Sequence, residues 1–333
     1  MGLSHSSVHQ RVRRTIQRHD LCPQGSRVLV ALSGGSDSVA LTLLLRDLAE
    51  YGGFTLVGAA HLNHQLRPSA ARDEAFCRDF AESLGISLVI DCIDVGAYRA
   101  AQRLSLEEAA RRVRYEFLER SADRLGADRI AVGHTEDDQA ETFILKLMRG
   151  AGATGLGAIY PRRERLIRPL LDVSREELRV FLRSSGQSWV EDETNADERI
   201  ARNRVRHRVL PELDRAYGGP TRPAIARAAE LLREDAQWLE EVSETRFRLL
   251  AVCEADRIEL DADALRAEPL PLRRRILLKA LRAVDSQRQV SLDHVEAADA
   301  VLDGSAAGMD LGQVRLELRR GKLVLVQQGV APK

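Results

Sequence analysis

The sequence predicts an α/β chain: a doubly wound parallel sheet, followed by a smaller, mainly helical domain that ends in a β-hairpin. Three observations carry this. Short apolar runs at 27–32, 54–61, 86–93 and 128–132 alternate with helical patterns through the first half, and strands alternating with helices imply a parallel sheet covered on both faces. Two of those runs lead directly into polar, chemically dense turns at 33–38 and 133–142, and open α/β sheets bind ligands at the carboxyl ends of their strands. Past about 220 the periodicity is helical, until 313–327 alternates around Gly321 as a terminal hairpin would. At 333 residues the chain is long for one domain. The junction is placed between an N-terminal domain at 1–215 and a C-terminal one at 216–333.

Each element has its own signal. Residues 8–19 form a short amphipathic helix, and 27–32 is a strand of the buried type. Val39, Leu41, Leu44, Leu45 and Leu48 fall at helical spacing within 38–50. The strand at 54–61 precedes a helix at 73–84, and the strand at 86–93 precedes a helix at 105–124. That last helix opens on a capping box, Ser105 with Glu108, and its apolar face is Leu106, Ala109, Ala110, Val113 and Phe117. Arg111, Arg112, Arg114 and Tyr115 lie mostly off that face and read, on pattern alone, as a solvated surface. Residues 149–157 are glycine-rich and predict a flexible loop, either an active-site lid or a linker. A helix at 174–183 is capped by Ser174 with Glu177. The basic run at 199–208 is closed by Pro211, and Leu231, Leu232, Leu239 and 272–284 are helical. No internal repeat is visible.

Composition narrows the function classes. With 44% hydrophobic and 30% charged residues the chain is of ordinary globular type. Zero formal net charge and a pI near 7.1 remove any global electrostatic argument for nucleic-acid binding, leaving only local patches. The only lysines are Lys146, Lys279, Lys322 and Lys333, so an arginine cluster weighs less here than in an average chain. Cys22, Cys77, Cys92 and Cys253 are scattered, which suggests neither a zinc site nor a disulfide framework. No apolar leader and no run of membrane-spanning length are present, so the expected location is cytoplasmic, without a membrane partner.

The chemistry gathers in three segments. Ser33, Gly34, Gly35, Ser36, Asp37 and Ser38 follow an apolar strand and open a helix, the anatomy of a phosphate cradle. The lysine-bearing Walker loop and the dinucleotide Gly-x-Gly-x-x-Gly pattern are both missing. Gly133 to Thr142 follow the strand at 128–132, placing Gly133 and His134 on the same rim. A helix there brings Asp137, Asp138 and Glu141 within one turn, an arrangement of like charges that calls for a cation. Magnesium on nucleotide phosphates or a substrate ammonium would supply it; the alternative is an acid-rich helix N-terminus favoured by the helix dipole. The third segment is His61 to Arg67, in which His61 also reads as a satisfied structural residue, while His64 and Arg67 lie on a loop.

These segments resemble the tRNA(Ile)-lysidine synthases, members of the N-type ATP pyrophosphatases. The resemblance rests on Ser-Gly-Gly-Ser-Asp-Ser at 33–38, His-x-Asn-His-x-Leu-Arg at 61–67, Ala-Arg-x-x-Arg-Tyr-x-Phe-Leu at 110–118 and Gly-His-x-x-Asp-Asp-Gln-x-Glu-Thr at 133–142. It continues through Arg-Gly-Ala-Gly at 149–152, Arg-Pro-Leu-Leu at 168–171, and Trp189, Asp192, Asn195, Arg202, Asn203 and Arg206 before Leu-Pro-x-Leu at 210–213. It implies ATP and Mg2+ as cofactors, and L-lysine and the tRNA(Ile) with a CAU anticodon as partners. The implied reaction adenylates C2 of the wobble cytidine and then replaces AMP by lysine. By the same resemblance, residues 33–38 and Arg111 bind the nucleotide, Asp37 also binds the metal, and Asp37, Arg114 and His134 are catalytic. Asp138 and Glu141 would take the lysine ammonium, and His64, Arg67, Arg202 and Arg206 would meet tRNA. The segment 1–215 would be the ATP pyrophosphatase domain and 216–333 the tRNA-recognition domain. The chain looks like the shorter form of the family, and a homodimer is a family expectation. A tRNA thiolase on the same loop would need cysteine chemistry that these scattered cysteines do not offer, and a small-molecule amidating ligase would not need the arginines at 162–208. A catalytically inactive RNA-binding protein would not need Asp37, His134, Asp138 and Glu141 intact.

Overall fold

The central strand, β1 (Arg27–Ala31), is buried on both sides because its side chains alternate between two cores. Val28 and Val30 enter one core and Leu29 the other. Truncating a fully buried leucine such as Leu29 to alanine costs about 2–5 kcal/mol. These features belong to a computed structural model that describes residues 7–65, 70–191, 197–254, 256–285, 290–306 and 308–327. The chain divides into two units, Met1–Arg233 and Glu234–Lys333.

In the first unit, α1 (Ser7–Arg18) precedes β1, and α2 (Ser36–Gly52) leads to β2 (Thr55–Asn63). Then follow α3 (Ala70–Ser83), β3 (Leu88–Cys92), α4 (Val95–Gln102), α5 (Leu106–Leu125) and β4 (Arg129–Ala131). After them come α6 (Glu136–Leu147), α7 (Ala153–Leu156), β5 (Arg162–Arg163), β6 (Leu166–Ile167) and α8 (Arg175–Ser184). The sheet order is β3-β2-β1-β4-β6-β5, parallel except for the β5–β6 pair. Helices α1, α2 and α8 cover one face through Val12, Leu41, Leu44, Leu178 and Leu182. Helix α5 covers the other with Phe117, Leu118 and Ala122. Ser105 and Ser174 cap α5 and α8 as their spacing predicts.

The unit closes with α9 (Ala201–Arg204), a π-helical turn (Val205–Val209), α10 (Leu210–Tyr217) and the first part of α11 (Thr221–Leu250). Two expectations change here. Pro211 does not close the basic run; it sits in the first turn of α10, where a missing N–H is tolerated. A junction at 215/216 would cut α10, but Leu210 and Leu213 pack with Ala140 and Val205, which binds this helix to the first unit. The glycine-rich segment 149–157 is likewise not all loop, since α7 lies within it.

The second unit contains the rest of α11, then β7 (Ala251–Cys253), β8 (Arg257–Asp261), α12 (Ala262–Arg266), α13 (Leu270–Val284) and α14 (Leu292–Leu302). It ends with β9 (Gly308–Leu311), β10 (Val314–Arg319) and β11 (Lys322–Gln327). The expected hairpin is β10–β11, paired from Arg319↔Lys322 to Val314↔Gln327. It is the middle of a five-stranded antiparallel sheet, β7-β8-β11-β10-β9, whose Ile258, Leu260, Leu316 and Leu325 share a core with Ile276, Leu277 and Leu281. Among the described residues, no helix is long and apolar enough to cross a membrane.

Candidate active site

Strand β1 has its sequential successor β2 on one side and β4 on the other, so chain direction across the sheet reverses between β1 and β4. The carboxyl ends of two such strands diverge into a crevice. Both chemically dense segments open there, 33–38 after β1 and 133–142 after β4. Gly133 makes the junction close: a Cβ on it would stand 3.2 Å from the Asp37 carbonyl carbon and 3.3 Å from Ser38 N. Only a residue without a side chain lets β4 approach the first turn of α2 so nearly.

The loop itself is pre-shaped. Gly34 has φ +86°, a left-handed value that disfavours any side chain, and its carbonyl accepts from Val190 N at 2.9 Å. Ser38 Oγ accepts from Ser33 N (3.1 Å) and donates to the Gly35 carbonyl (3.0 Å), folding the loop over the start of α2. Gly35 is the N-cap residue of α2 and provides no side-chain cap, so the amides of the first turn face the loop. Asp37 accepts from Ser36 Oγ at 2.9 Å.

Several arginines hold the acidic segment, and one of them, Arg175, also reaches the phosphate loop. Arg175, the first residue of α8, donates from Nε to Asp37 Oδ2 (3.1 Å) and from Nη2 to Asp138 Oδ1 (3.1 Å), while its Nη1 lies 3.6 Å from Glu141 Oε1. Its backbone N–H reaches Asp137 Oδ2 at 2.8 Å. Glu141, fully buried, receives a two-pronged contact from Arg206 at 2.6 and 3.0 Å. Arg202 donates to Thr142 Oγ1 at 3.0 Å and stands 3.8 Å from Glu141. Asp137 pairs with Arg222 at 3.2 Å. Asp138 is also the third residue of the α6 capping box, its Oδ2 accepting from Thr135 N and Oγ1, both at 2.9 Å.

Burial pushes the Asp37 carboxyl up, and Asp138 adds to this while Arg175 and Ser36 oppose it. Burial works the same way on Asp138, but Arg175, His134, the Thr135 amide and Arg202 outweigh it and hold this carboxyl low. Burial alone would weaken the Arg175 cation; Asp138, Asp37, Glu141 and Asp137 reverse that and raise it. His134 is pushed down to about 4 by burial, with Arg168, Arg202 and Arg114 adding to the effect against Asp138. It is therefore neutral near pH 7. Its Nδ1 faces Arg168 Nε at 3.3 Å. A guanidinium only donates, so Nδ1 is the acceptor and the ring proton belongs on Nε2.

Residues 33–38, His134, Asp138, Glu141, Arg202 and Arg206 thus come together on one rim, and Arg114 acts on His134 electrostatically. Arg111 lies with its guanidinium 5.0 Å over the Tyr115 ring. Arg206, expected to meet tRNA, is paired with Glu141. Its side chain is only 19% exposed, because the buried charge of Glu141 requires a partner. His61 is structural, with Nδ1 at 2.9 Å from the Leu32 carbonyl oxygen. His64 is half-buried just past β2. Arg67, Asp192 and Asn195 lie outside the described residues. Sequence reading missed Arg175, although one signal was available: a cation at the first helical position opposes the helix dipole and needs local acids to hold it.

Comparison with known proteins adds the relatives. The PP-loop domain model matches residues 5–213. The tRNA(Ile)-lysidine synthase of Geobacter sulfurreducens is 39% identical over 301 residues, covering 89% of this chain and 63% of that protein. The tRNA(Ile)-lysidine synthase of Thermus thermophilus is 41% identical over 273 residues, covering 82% of this chain and 52% of that protein. The chain therefore spans less than two thirds of the length of either relative. The structure of the U34-tRNA thiolase from Methanococcus maripaludis superimposes with a TM-score of 0.54 at 19% identity, covering 68% of this chain and 78% of the thiolase. That likeness is one of fold.

Proposed function

We propose, for a chain that belongs to the PP-loop domain family, that it ligates L-lysine to C2 of the wobble cytidine in the CAU anticodon of tRNA(Ile). ATP is split to AMP and pyrophosphate, and the codon read changes from AUG to AUA. The observation that supports this best is the close approach of Gly133 to the backbone of Asp37 and Ser38, where only a residue without a Cβ fits freely, so that the phosphate loop shares one crevice with neutral His134 and the buried Asp138 and Glu141.

In the first step the C2 oxygen of the cytidine attacks the α-phosphate, forming a P–O bond as the bond to pyrophosphate breaks. The amides and hydroxyls of residues 33–38 bind the leaving pyrophosphate, and the α2 N-terminus favours its charge. Neutral His134, with its proton on Nε2, is a hydrogen-bond donor toward charge that develops on the α-phosphate oxygens, and does not act as a base there. Arg111 and Arg114 hold phosphate oxygens or the adenylated base with their fixed guanidinium forks. In the second step a neutral amine of lysine attacks C2, forming a C–N bond as the C2–O bond breaks; AMP leaves with that oxygen, and the proton lost by the nitrogen passes to solvent. Asp138 and Glu141 attract the ammonium of the incoming lysine.

Magnesium fits the donor set: Asp37 presents a carboxylate beside a phosphate loop, and this ion is usually bound through one or two carboxylates plus substrate phosphates. Asp37 would hold it, and its charge would ease departure of pyrophosphate. Arg202, with its side chain 41% exposed, remains a candidate for tRNA phosphate; Arg206 acts first as the partner of Glu141. The test is pyrophosphate release with ATP and a tRNA(Ile) transcript, followed by lysine incorporation on adding lysine. Incorporation of sulfur or of another amine in place of lysine would sink the proposal.

A further inference from the structure

We propose that Arg175 is a shared internal counter-ion that couples the nucleotide side of the crevice to the amine side, so that loading one ligand favours binding of the other. The inference rests on the function proposed above. Its basis is the way one guanidinium is divided: Nε goes to Asp37, Nη2 to Asp138, and Nη1 lies nearest Glu141. The first carboxylate belongs to the phosphate loop and the other two to the amine pocket. A guanidinium is a rigid planar fork, so it cannot leave one of these partners and keep its geometry with the others.

The backbone of Arg175 has no such freedom. It is pinned by its own N–H to Asp137 and by the reciprocal Ser174–Glu177 cap. The side chain alone moves. It is only 16% exposed, and at the first position of α8 it opposes the helix dipole, so the acids are what keep it in the crevice. A cation arriving at Asp37 displaces Nε, and an ammonium arriving at Asp138 and Glu141 displaces the two Nη groups. Glu141 meanwhile keeps Arg206. Either arrival loosens the same side chain from both sides. The first ligand therefore bears the cost of moving Arg175, and the second does not. Thermodynamic linkage makes this help reciprocal.

The test is calorimetric titration of the full chain with L-lysine, with and without magnesium and α,β-methylene-ATP, alongside the reverse titration. The wild-type protein should bind lysine at least about fivefold tighter when the nucleotide is present, and nucleotide tighter by the same factor when lysine is present. In Arg175→Met the factor should fall to near one, with lysine alone binding at least as tightly as in wild type. Arg175→Lys keeps a cation for folding but cannot bridge three carboxylates, and should lose the coupling as well; melting temperatures confirm that both variants are folded. An unchanged coupling factor in the two variants, or lysine binding weakened in Arg175→Met, overturns the role of Arg175 alone. Wild-type protein that binds neither ligand overturns the proposed function and this inference with it.

Discussion

Replacing Gly133 by alanine perturbs the crevice at a single atom. The new Cβ would stand 3.2 Å from the Asp37 carbonyl carbon, 3.3 Å from its oxygen and 3.3 Å from Ser38 N. Non-bonded carbon contacts are optimal at about 3.5–4.0 Å, so β4 and the first turn of α2 must separate by a few tenths of an ångström. The neighbours are backbone atoms tied by Ser38 into the loop, so they cannot swing aside as a flexible side chain would. Overpacking of this size costs about 1–2 kcal/mol, or roughly 2–8 °C in melting temperature for a domain of this size. The effect on rate should exceed the effect on nucleotide affinity. A misplacement of about 1 Å costs on the order of a hundredfold, so a few tenths should cost roughly five- to tenfold in kcat. The assay is tRNA-dependent ATP–pyrophosphate exchange, with Gly219→Ala as control because no atom lies within 4 Å of a Cβ there. Wild-type exchange and melting in Gly133→Ala would refute the idea that this contact sets the geometry.

Glu141→Gln should lower the melting temperature by on the order of 10 °C, since breaking a buried pair costs about 3–5 kcal/mol and here leaves Arg206 facing a neutral amide; calorimetry checks it. His134, pushed down to about 4 chiefly by burial, binds fewer protons folded than unfolded between that value and 6.5. Its contribution is therefore complete above pH 6.5 and is lost as pH falls, at no more than about 1.4 kcal/mol per pH unit. His134→Asn should flatten the acid side of the stability profile. Glu136 has the opposite sign: burial, then Asp137 and Glu177, push it up to about 7, so it destabilises the fold as pH rises through 4.5 to 7. Glu136→Gln should raise the melting temperature at pH 8 and leave it nearly unchanged at pH 4. Arg162 and Arg163 are exposed on β5; each alanine variant should make the salt dependence of tRNA binding shallower by about 0.7–0.9 in log–log slope, and an unchanged slope would remove β5 from the phosphate-binding surface.

Much of the first unit was legible because its signals are local. The strands at 27–32 and 54–61 are continuous apolar runs, and Ser105 and Ser174 announce their helices through side-chain caps that depend on only four residues. The two dense turns were placed on one rim by the alternation of strands and helices alone. Features set at long range were not readable. Arg175 reaches Asp37 across 138 positions of sequence, and nothing in its neighbourhood names that partner. Arg206 reads as one member of a basic run, but burial of Glu141 turns it inward. Strands β7, β8 and β9 were missed because each is short, and pairing with a hairpin far along the chain decides them. The junction fell wrong for a similar reason: Leu210 and Leu213 look like any helical leucines until Ala140 and Val205 are found against them.

The most direct test of the central claim is stoichiometry with labelled substrates. Incubating the protein with α-labelled ATP, labelled L-lysine and a tRNA(Ile) transcript bearing CAU should yield one AMP for each lysine joined to the wobble cytidine, and no product when that base is changed to uridine. Release of ADP, or lysine incorporation that persists without a cytidine at the wobble position, would contradict it.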